Sequence, residues 1–506
     1  MSSSKGWPDR AGVLGCAGLA LPAVLIHGYH LGTDDAAIWA PAIKKAADPS
    51  LYPFGGEFFL MHSRFSAFPL LLGSFARLSR VPSDIVIFLC HLLGVFLLLL
   101  ASWRLLSACF KTGRARWGGV ALLAAVLSTP VAGTALPIMD PYVTARSLST
   151  PFAVFALGSY LAGRLRGALA WLAACAVMHP QMSLFAAALL FVMEFSRRRV
   201  AAVEATPVFG SLLLAGVFLP WDLEPARGAA REALLSRSYF FVSNWTWYEW
   251  LGVFAPLALL WWCARLRLRA GSAPLAGLLP SVVNFGLLFT AAGLLLVSSP
   301  HFENYTRLQP MRAFQLVYIV MFLIVGALAG EYVLRDRPWR WLALFAPLAV
   351  GMWLLAYAAF SSSPHLEWPG VAPGGRWGSA FLWVREHTAK DAVFALDPDY
   401  LLLPGEDMHG FRAVAERSVL ADRRKDSGAV SLFPQLAADW DEQVRAQSGW
   451  DRFSRDDFER LAGRYQVTWV VTQRPAAAGL DCPYRNAGVA VCRVGAGSPL
   501  ASAQIN

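Results

Sequence analysis

Within HGYHLGTDDAAIWAPAIKKAADPSLYPFG (27–55), two adjacent carboxylates, Asp34 and Asp35, stand just beyond the first long apolar run of the chain. Charge beside hydrocarbon is costly, and neighbouring carboxylates repel more strongly where the dielectric is low. Capping accounts for one of them, since Thr33 or Asp34 can satisfy the first amides of a helix that begins near Asp35. It does not account for two. A carboxylate pair can take a proton from a hydroxyl as a general base, or hold a divalent ion such as magnesium or manganese beside a phosphate. Complementary side chains stand in other connections between apolar runs: Arg64, Arg146, His179, and His301, Glu303, Arg307 and Arg312 in SSPHFENYTRLQPMR (298–312). Arginine and histidine can hold a phosphate and stabilise the charge it gains as a leaving group. Singly, each has a plainer reading. Arg146, Arg307 and Arg312 can snorkel to headgroups, and His179 before Pro180 can be a turn residue.

The elements that must position these residues follow from composition. Of 506 residues, 56% are hydrophobic and only 15% charged, against roughly 25% charged in an average soluble domain. Apolar segments near 11–28, 83–109, 118–136, 147–163, 167–178, 181–195, 206–220, 248–263, 275–297, 313–333 and 340–360 predict a polytopic α-helical membrane protein of about eleven transmembrane helices. The first run follows Lys5 and Arg10 but lacks a small-x-small cleavage site, and reads as a retained span. Basic connections at 111–116, 163–167, 196–200, 264–269 and 334–340 then fall on one side together with the N-terminus. That arrangement predicts a cytoplasmic N-terminus and an extracytoplasmic C-terminus. Residues 64–80, apolar but carrying Arg64, Arg77 and Arg80, read as a helix lying in the external interface, within the external loop 29–82. The net charge of +10 belongs to these orientation signals. No basic run interleaved with stacking aromatics points to nucleic acid.

The membrane region is expected to occupy residues 1–360. A Ser/Pro/Gly-rich linker (361–378) joins it to an extracytoplasmic α/β domain (379–506), with strands at 391–396, 465–472 and 488–494. Cys482 and Cys492 flank PYRNAGVAV at a spacing that suits a hairpin disulfide in an oxidising compartment. The other five cysteines lie in apolar runs, and no metal-ligand Cys/His spacing occurs. FRAVAERSVLADRRKD (411–426) reads first as a solvated, salt-bridged helix face. Its sharper reading is a segment that reaches back over the membrane face to an anionic acceptor. On the outer face the carboxylates, cations and apolar rim together match glycosyl transfer from a lipid-phosphate sugar.

Here the sequence resembles a known family. The end of the first span followed by TDDAAIWAPAIKKAADPSLYP looks like the first external loop of the GT-C superfamily of integral-membrane glycosyltransferases. These proteins carry a paired acidic motif after the first membrane helix, and many bacterial members continue as Asp48, Pro49, Leu51, Tyr52 and Pro53 do here. The resemblance covers some thirty residues of the chain. It implies a polyprenyl- or dolichyl-phosphate-linked donor, inversion at the anomeric carbon and an acidic base at Asp34 or Asp35, the first favoured. It also implies contact with membrane lipids in a bacterial inner membrane. Two rivals from other classes stand beside it: a transporter or flippase, and a non-enzymatic scaffold whose outer domain binds partners. Glu194 and His91 lie inside apolar runs as a transporter would have them, but Glu194 sits near Arg197, and no half of the chain repeats the other.

Overall fold

The computed structural model describes residues 10–199, 224–266, 273–371 and 374–494. The apolar segment at 206–220, parts of the basic connections at 196–200 and 264–269, and residues 495–506 of the C-terminal domain lie outside the described residues. Helices α1 (Arg10–His27), α2 (Ala36–Ala47), α3 (Glu57–Ser63), α4 (Phe68–Ser79), α5 (Ser83–Cys109), α6 (Gly113–Ala125), α7 (Arg146–Leu161), α8 (Leu165–Met178) and α9 (Pro180–Arg199) come first. They are followed by α10 (Gly228–Leu235), α11 (Trp247–Arg265), α12 (Ala273–Leu296), α13 (Phe314–Leu328) and α14 (Pro338–Ala359).

Among the described residues five helical stretches are long and apolar enough to cross a membrane: 10–27, 83–109, 273–296, 300–334 and 338–359. At 1.5 Å per residue α5 is about 40 Å long, against about 30 Å of hydrocarbon. Five is fewer than the eleven spans expected. Helices α6, α7 and α8 have 13, 16 and 14 residues, fewer than the roughly 20 that a span needs. The segment expected to cross at 118–136 stops at Ala125. Beyond it Pro130 and Pro137 face each other in an isolated bridge, and Ala132 and Ala135 take positive φ, a backbone that no helix can continue. Close packing replaces length in this region. A Cβ on Gly118 would stand 2.3 Å from the Gly326 carbonyl, and one on Gly330 2.3 Å from that of Arg114, so α6 meets α13 backbone to backbone. The 64–80 segment forms α4, 12 residues long, which packs on α2 and leaves Leu70, Leu71, Phe75 and Leu78 exposed.

The C-terminal part is a five-stranded sheet in the order β2-β1-β3-β5-β4, made of β1 (Val393–Leu396), β2 (Ser418–Val419), β3 (Trp469–Gln473), β4 (Asp481–Arg485) and β5 (Val489–Arg493). β1 runs parallel to β2 and β3, and β5 is antiparallel to β3 and β4. Alternation along β1 divides its core between two faces. Phe394 and Leu396 pack with Trp377, Phe381 and Val384 of α15 (Arg376–His387) and with Phe411 and Val414 of α16 (Phe411–Ala415). Val393 and Ala395 pack with Trp450 and with Phe458 and Leu461 of α19 (Arg455–Tyr465). Cys482 and Cys492 form a disulfide between β4 and β5. Helices α17 (Asp426–Leu432) and α18 (Ala437–Ala446) pack through Val430, Trp440 and Val444 on Phe58 and Met61 of α3 and Ala233 of α10.

This domain is docked on the end of the helical bundle that carries Asp34 and Asp35. Lys44 of α2, 1% exposed, meets Asp84 at 2.7 Å and Glu416 at 2.9 Å, and Arg385 closes the network on Asp84 at 2.8 Å. The connection at 361–371 is tied down as well. Glu367 takes hydrogen bonds from His30 (3.0 Å), His409 (2.7 Å) and the Leu31 amide (2.9 Å).

Candidate active site at the Asp34–Asp35 pair

The aspartate loop is positioned by the C-terminal domain. The Asp34 amide donates to the Met408 carbonyl (3.0 Å), the Gly410 amide donates to Gly32 (2.9 Å), and Thr33 pairs with His409. Asp34, Asp407 and Met408 all take positive φ, at 49°, 53° and 62°, a region that aspartate tolerates better than most residues. Such strained backbone is held only where its surroundings over-determine it.

Helix α2 begins where the sequence placed it, with Asp35 at its N-cap position, but no side chain caps it. The Thr33 hydroxyl is buried without a hydrogen-bond partner among the described residues. The carboxylates face cations instead. Asp34 Oδ2 accepts from the Tyr142 hydroxyl (3.0 Å), and its Oδ1 contacts the Lys425 ammonium. Asp35 Oδ2 accepts from the Arg146 guanidinium (2.9 Å), with Lys425 Nζ 3.5 Å from its other oxygen. Arg146, the first residue of α7, also bonds Asp140 through Nε (3.1 Å) and a terminal nitrogen (2.9 Å). The two carboxylates remain reachable: their side chains are 40% and 30% exposed, against 5% for Arg146 and 10% for Lys425.

Electrostatics follow the contacts. Burial works to raise the Asp35 carboxyl, but Lys425, Arg146 and Arg312 outweigh it and hold it well below the usual carboxylate range. Burial lowers Lys425, and Asp34 and Asp35 more than reverse that, so its ammonium is kept charged. Burial, with Arg146, Arg312 and His62 nearby, pushes His179 down to about 3. Burial also brings His62 to about 4, with Asp35 opposing and Arg312 assisting. Both rings are therefore neutral at pH 7, and each has a buried Nδ1 with no hydrogen-bond partner among the described residues. Arg312 stands just before α13, with its guanidinium 6.0 Å from the Tyr239 ring centre. Its Nε is buried and unbonded, and no carboxylate lies within 4 Å of it among the described residues.

Of the residues singled out from sequence, the structure brings Arg146 into contact with the pair, places Arg312 within the field of Asp35, and sets His179 near Arg146 and Arg312. It does not bring in the others. Arg64 is exposed at the end of α3. Glu303 pairs with Arg231 at 3.2 Å. Arg307 folds onto Asn304 (3.0 Å), and His301 is exposed. They share an end of the bundle with the aspartates without reaching them. Tyr142 is the contact that sequence reasoning did not single out; His62 enters it only as part of the loop 29–82, and Lys425 only within the 411–426 segment whose sharper reading has it reach back over the membrane face.

The 411–426 segment is not a solvated helix face. Arg412 is buried on Asp426 (2.8 Å), Arg417 is buried, and Lys425 sits on the aspartates. Its mixture of charges gave the plain reading, whereas in the fold Arg412, Arg417, Asp422, Lys425 and Asp426 are buried. Among the described residues no group of three His, Cys, Asp or Glu side chains is placed to hold a metal ion. The position between Asp34 and Asp35 where a shared cation would lie is held by Lys425.

No family model matches the chain, and no curated protein matches it. Solved structures of the arabinofuranosyltransferase AftD from Mycobacteria are similar to it. One superposes with a TM-score of 0.44 at 14% identity, covering 97% of this chain and 40% of that one. A mutant form of the same protein gives 0.49 at 15% identity, covering 98% and 42%. This chain thus spans about two fifths of the length of that protein.

Proposed function

We propose that the chain is a membrane glycosyltransferase that moves a sugar from a polyprenyl-phosphate donor to an acceptor hydroxyl at the Asp34–Asp35 site, on the outer face of a bacterial inner membrane. The observation that carries this reading is the combination of two partly exposed carboxylates with Arg312, half-buried, whose buried Nε is unbonded and which has no carboxylate partner among the described residues. A half-buried cation without a counter-ion calls for an anionic ligand. A phosphate ester supplies one, with Arg146, Lys425 and the neutral imidazoles of His62 and His179 as further hydrogen-bond donors. Beside Arg312 a small recess lined by Thr134, Tyr239, Gln309 and Met311 holds about 10 Å³, room for little more than a water.

In the proposed reaction Asp34 takes the proton of the acceptor hydroxyl. The hydroxyl oxygen forms its bond to the anomeric carbon from one side as the carbon–oxygen bond to phosphate breaks on the other. That bond's electron pair stays on the phosphate, and the anomeric configuration inverts. Asp35 serves to fix Arg146. No step requires a metal, because guanidinium and ammonium groups can neutralise the leaving phosphate. A transporter reading gains nothing from Glu194, which pairs with Arg197 at 3.2 Å.

The test is release of free polyprenyl phosphate from a panel of polyprenyl-phosphate sugars. Wild type should release it, Asp34→Asn should be slower by about 10²- to 10⁴-fold, as expected for a lost general base, and Arg312→Gln should chiefly raise the donor KM. Turnover by wild type with every variant equally active would remove the site. No turnover with any donor would remove the reaction.

A further inference from the structure

A second concave site lies in the C-terminal domain. A cleft of about 370 Å³ is walled by Asp397, Asp399, Arg423, Gln447, Trp450 and Asp451, within the usual size range of ligand pockets. Its place in the fold is informative. Asp397 directly follows β1, and Arg423 lies four residues beyond β2, so the cleft opens at the carboxyl ends of parallel strands. From β1 the chain passes to β2 on one side and later returns as β3 on the other. Open α/β sheets bind ligands outside the carboxyl ends of their strands, and this cleft sits at those of β1 and β2.

We propose that this cleft binds an uncharged, hydroxyl-rich glycan, the acceptor of the transfer; the inference rests on the function proposed above. Three features favour that occupant. First, the electrostatics of the two sites are opposed. The aspartate pair is ringed by cations and suits a phosphate, whereas the cleft sets three carboxylates against one guanidinium and repels one. Carboxylates accept strongly from sugar hydroxyls. Arg423, 3.7 Å from Asp399, disfavours a bare cation in the same ring. Second, Gln447 is 1% exposed and lines the cleft. Its amide nitrogen donates to Ala421 (2.9 Å) and Gln443 (3.2 Å), and its amide oxygen accepts no hydrogen bond among the described residues. Third, the cleft adjoins the reaction centre through one short loop. Arg423 lines the cleft and Lys425 contacts Asp34, and two residues of chain span about 7 Å at most. A glycan seated on the outer domain would present its terminal hydroxyl across that loop.

The experiment uses full-length protein in detergent with two readouts. The probe set is uncharged di- to tetrasaccharides of glucose, mannose and galactose, and binding is read by saturation-transfer NMR. The variant is Asp399→Asn/Asp451→Asn, which alters two exposed carboxylates and leaves the core intact. Wild type is expected to bind at least one member of the set, and the variant to bind it at least 10-fold more weakly. With a donor that wild type cleaves, the variant's acceptor KM should rise by more than its kcat falls. Arg464→Gln, which alters an exposed ion pair outside the cleft, should bind as wild type does. No saturation transfer to any saccharide, or equal transfer from wild type and variant, would overturn the site. Binding that the variant loses, together with no donor cleavage by wild type, would leave the cleft standing and refute the transferase reading instead.

Discussion

A carboxylate clamped between two cations is a weak base, and this separates Asp34 from Asp35. Asp35 lies between Arg146 and Lys425 and is held well below the carboxylate range, while Asp34 meets Lys425 and a neutral phenol. A donor phosphate would compete with the two aspartates for Lys425. Replacing it by methionine removes one of the charges that hold Asp35 down, so the Asp35 carboxyl should move up toward its ordinary value. The acid limb of the pH–rate profile of Lys425→Met is expected to shift to higher pH, with a raised donor KM. An unshifted profile would show that Lys425 does not bear on the pair. The carboxylate pair was legible in sequence because two acids beside an apolar run have no structural excuse. Arg146 was legible because it opens an apolar segment on the same face. Lys425 was legible only as part of the 411–426 run that could reach back over the membrane face; nothing in the sequence tied it to Asp34, 391 positions away.

At the scale of elements, the aspartate loop is one side of a short ladder whose other side is residues 407–410. Gly410 is the tightest point of that contact. A Cβ there would stand 2.4 Å from the Ala37 Cβ. Its backbone, at φ −70° and ψ 124°, suits any residue, so an alanine would act through the collision alone. Gly410→Ala is expected to cost about 1–3 kcal/mol as overpacking does, seen as a lower Tm, and to slow turnover as the loop is displaced. Normal activity at a lowered Tm would detach the ladder from catalysis. Sequence periodicity located α2, α5 and α12–α14 because each is bounded by charge or proline. It overran α6, since Leu127, Val131 and Leu136 continue the apolar run after the helix has ended at Ala125. It also missed β2, two residues long, and β4, whose residues alternate in a short, half-exposed hairpin strand.

At the scale of the whole molecule, the C-terminal domain must stay seated for the site to exist, and its seat includes a titratable cluster. Glu367 joins His30, just beyond α1, to His409 of the C-terminal domain, and all three are buried. Burial lowers His409, but Glu367 and Asp407 outweigh it and leave the imidazole above its ordinary value. Burial raises Glu367, but His409 and His30 hold it well below the carboxylate range. Neighbouring Glu406 is buried with neither carboxylate oxygen bonded among the described residues, and burial pushes its pKa well above normal. The signs then follow from linkage. A histidine raised in the fold stabilises fully below its unfolded value of about 6.5, and that contribution is lost as pH climbs through the folded value. A carboxyl raised in the fold acts in the same direction, its contribution declining once pH exceeds the unfolded value of about 4.3. The Glu367 contribution is instead present above about 4.3 and lost in acid. Docking should thus weaken as pH rises from 6.5 to 9. The expected result is a wild-type Tm that falls over that interval, together with faster proteolysis of the 361–371 connection. His409→Gln, which keeps a hydrogen bond to Glu367 without the titration, should flatten the slope despite a lower Tm. If His409→Gln keeps the full slope while Glu406→Gln loses it, the buried Glu406, and not the histidine–glutamate pair, sets the alkaline limit of the assembled site.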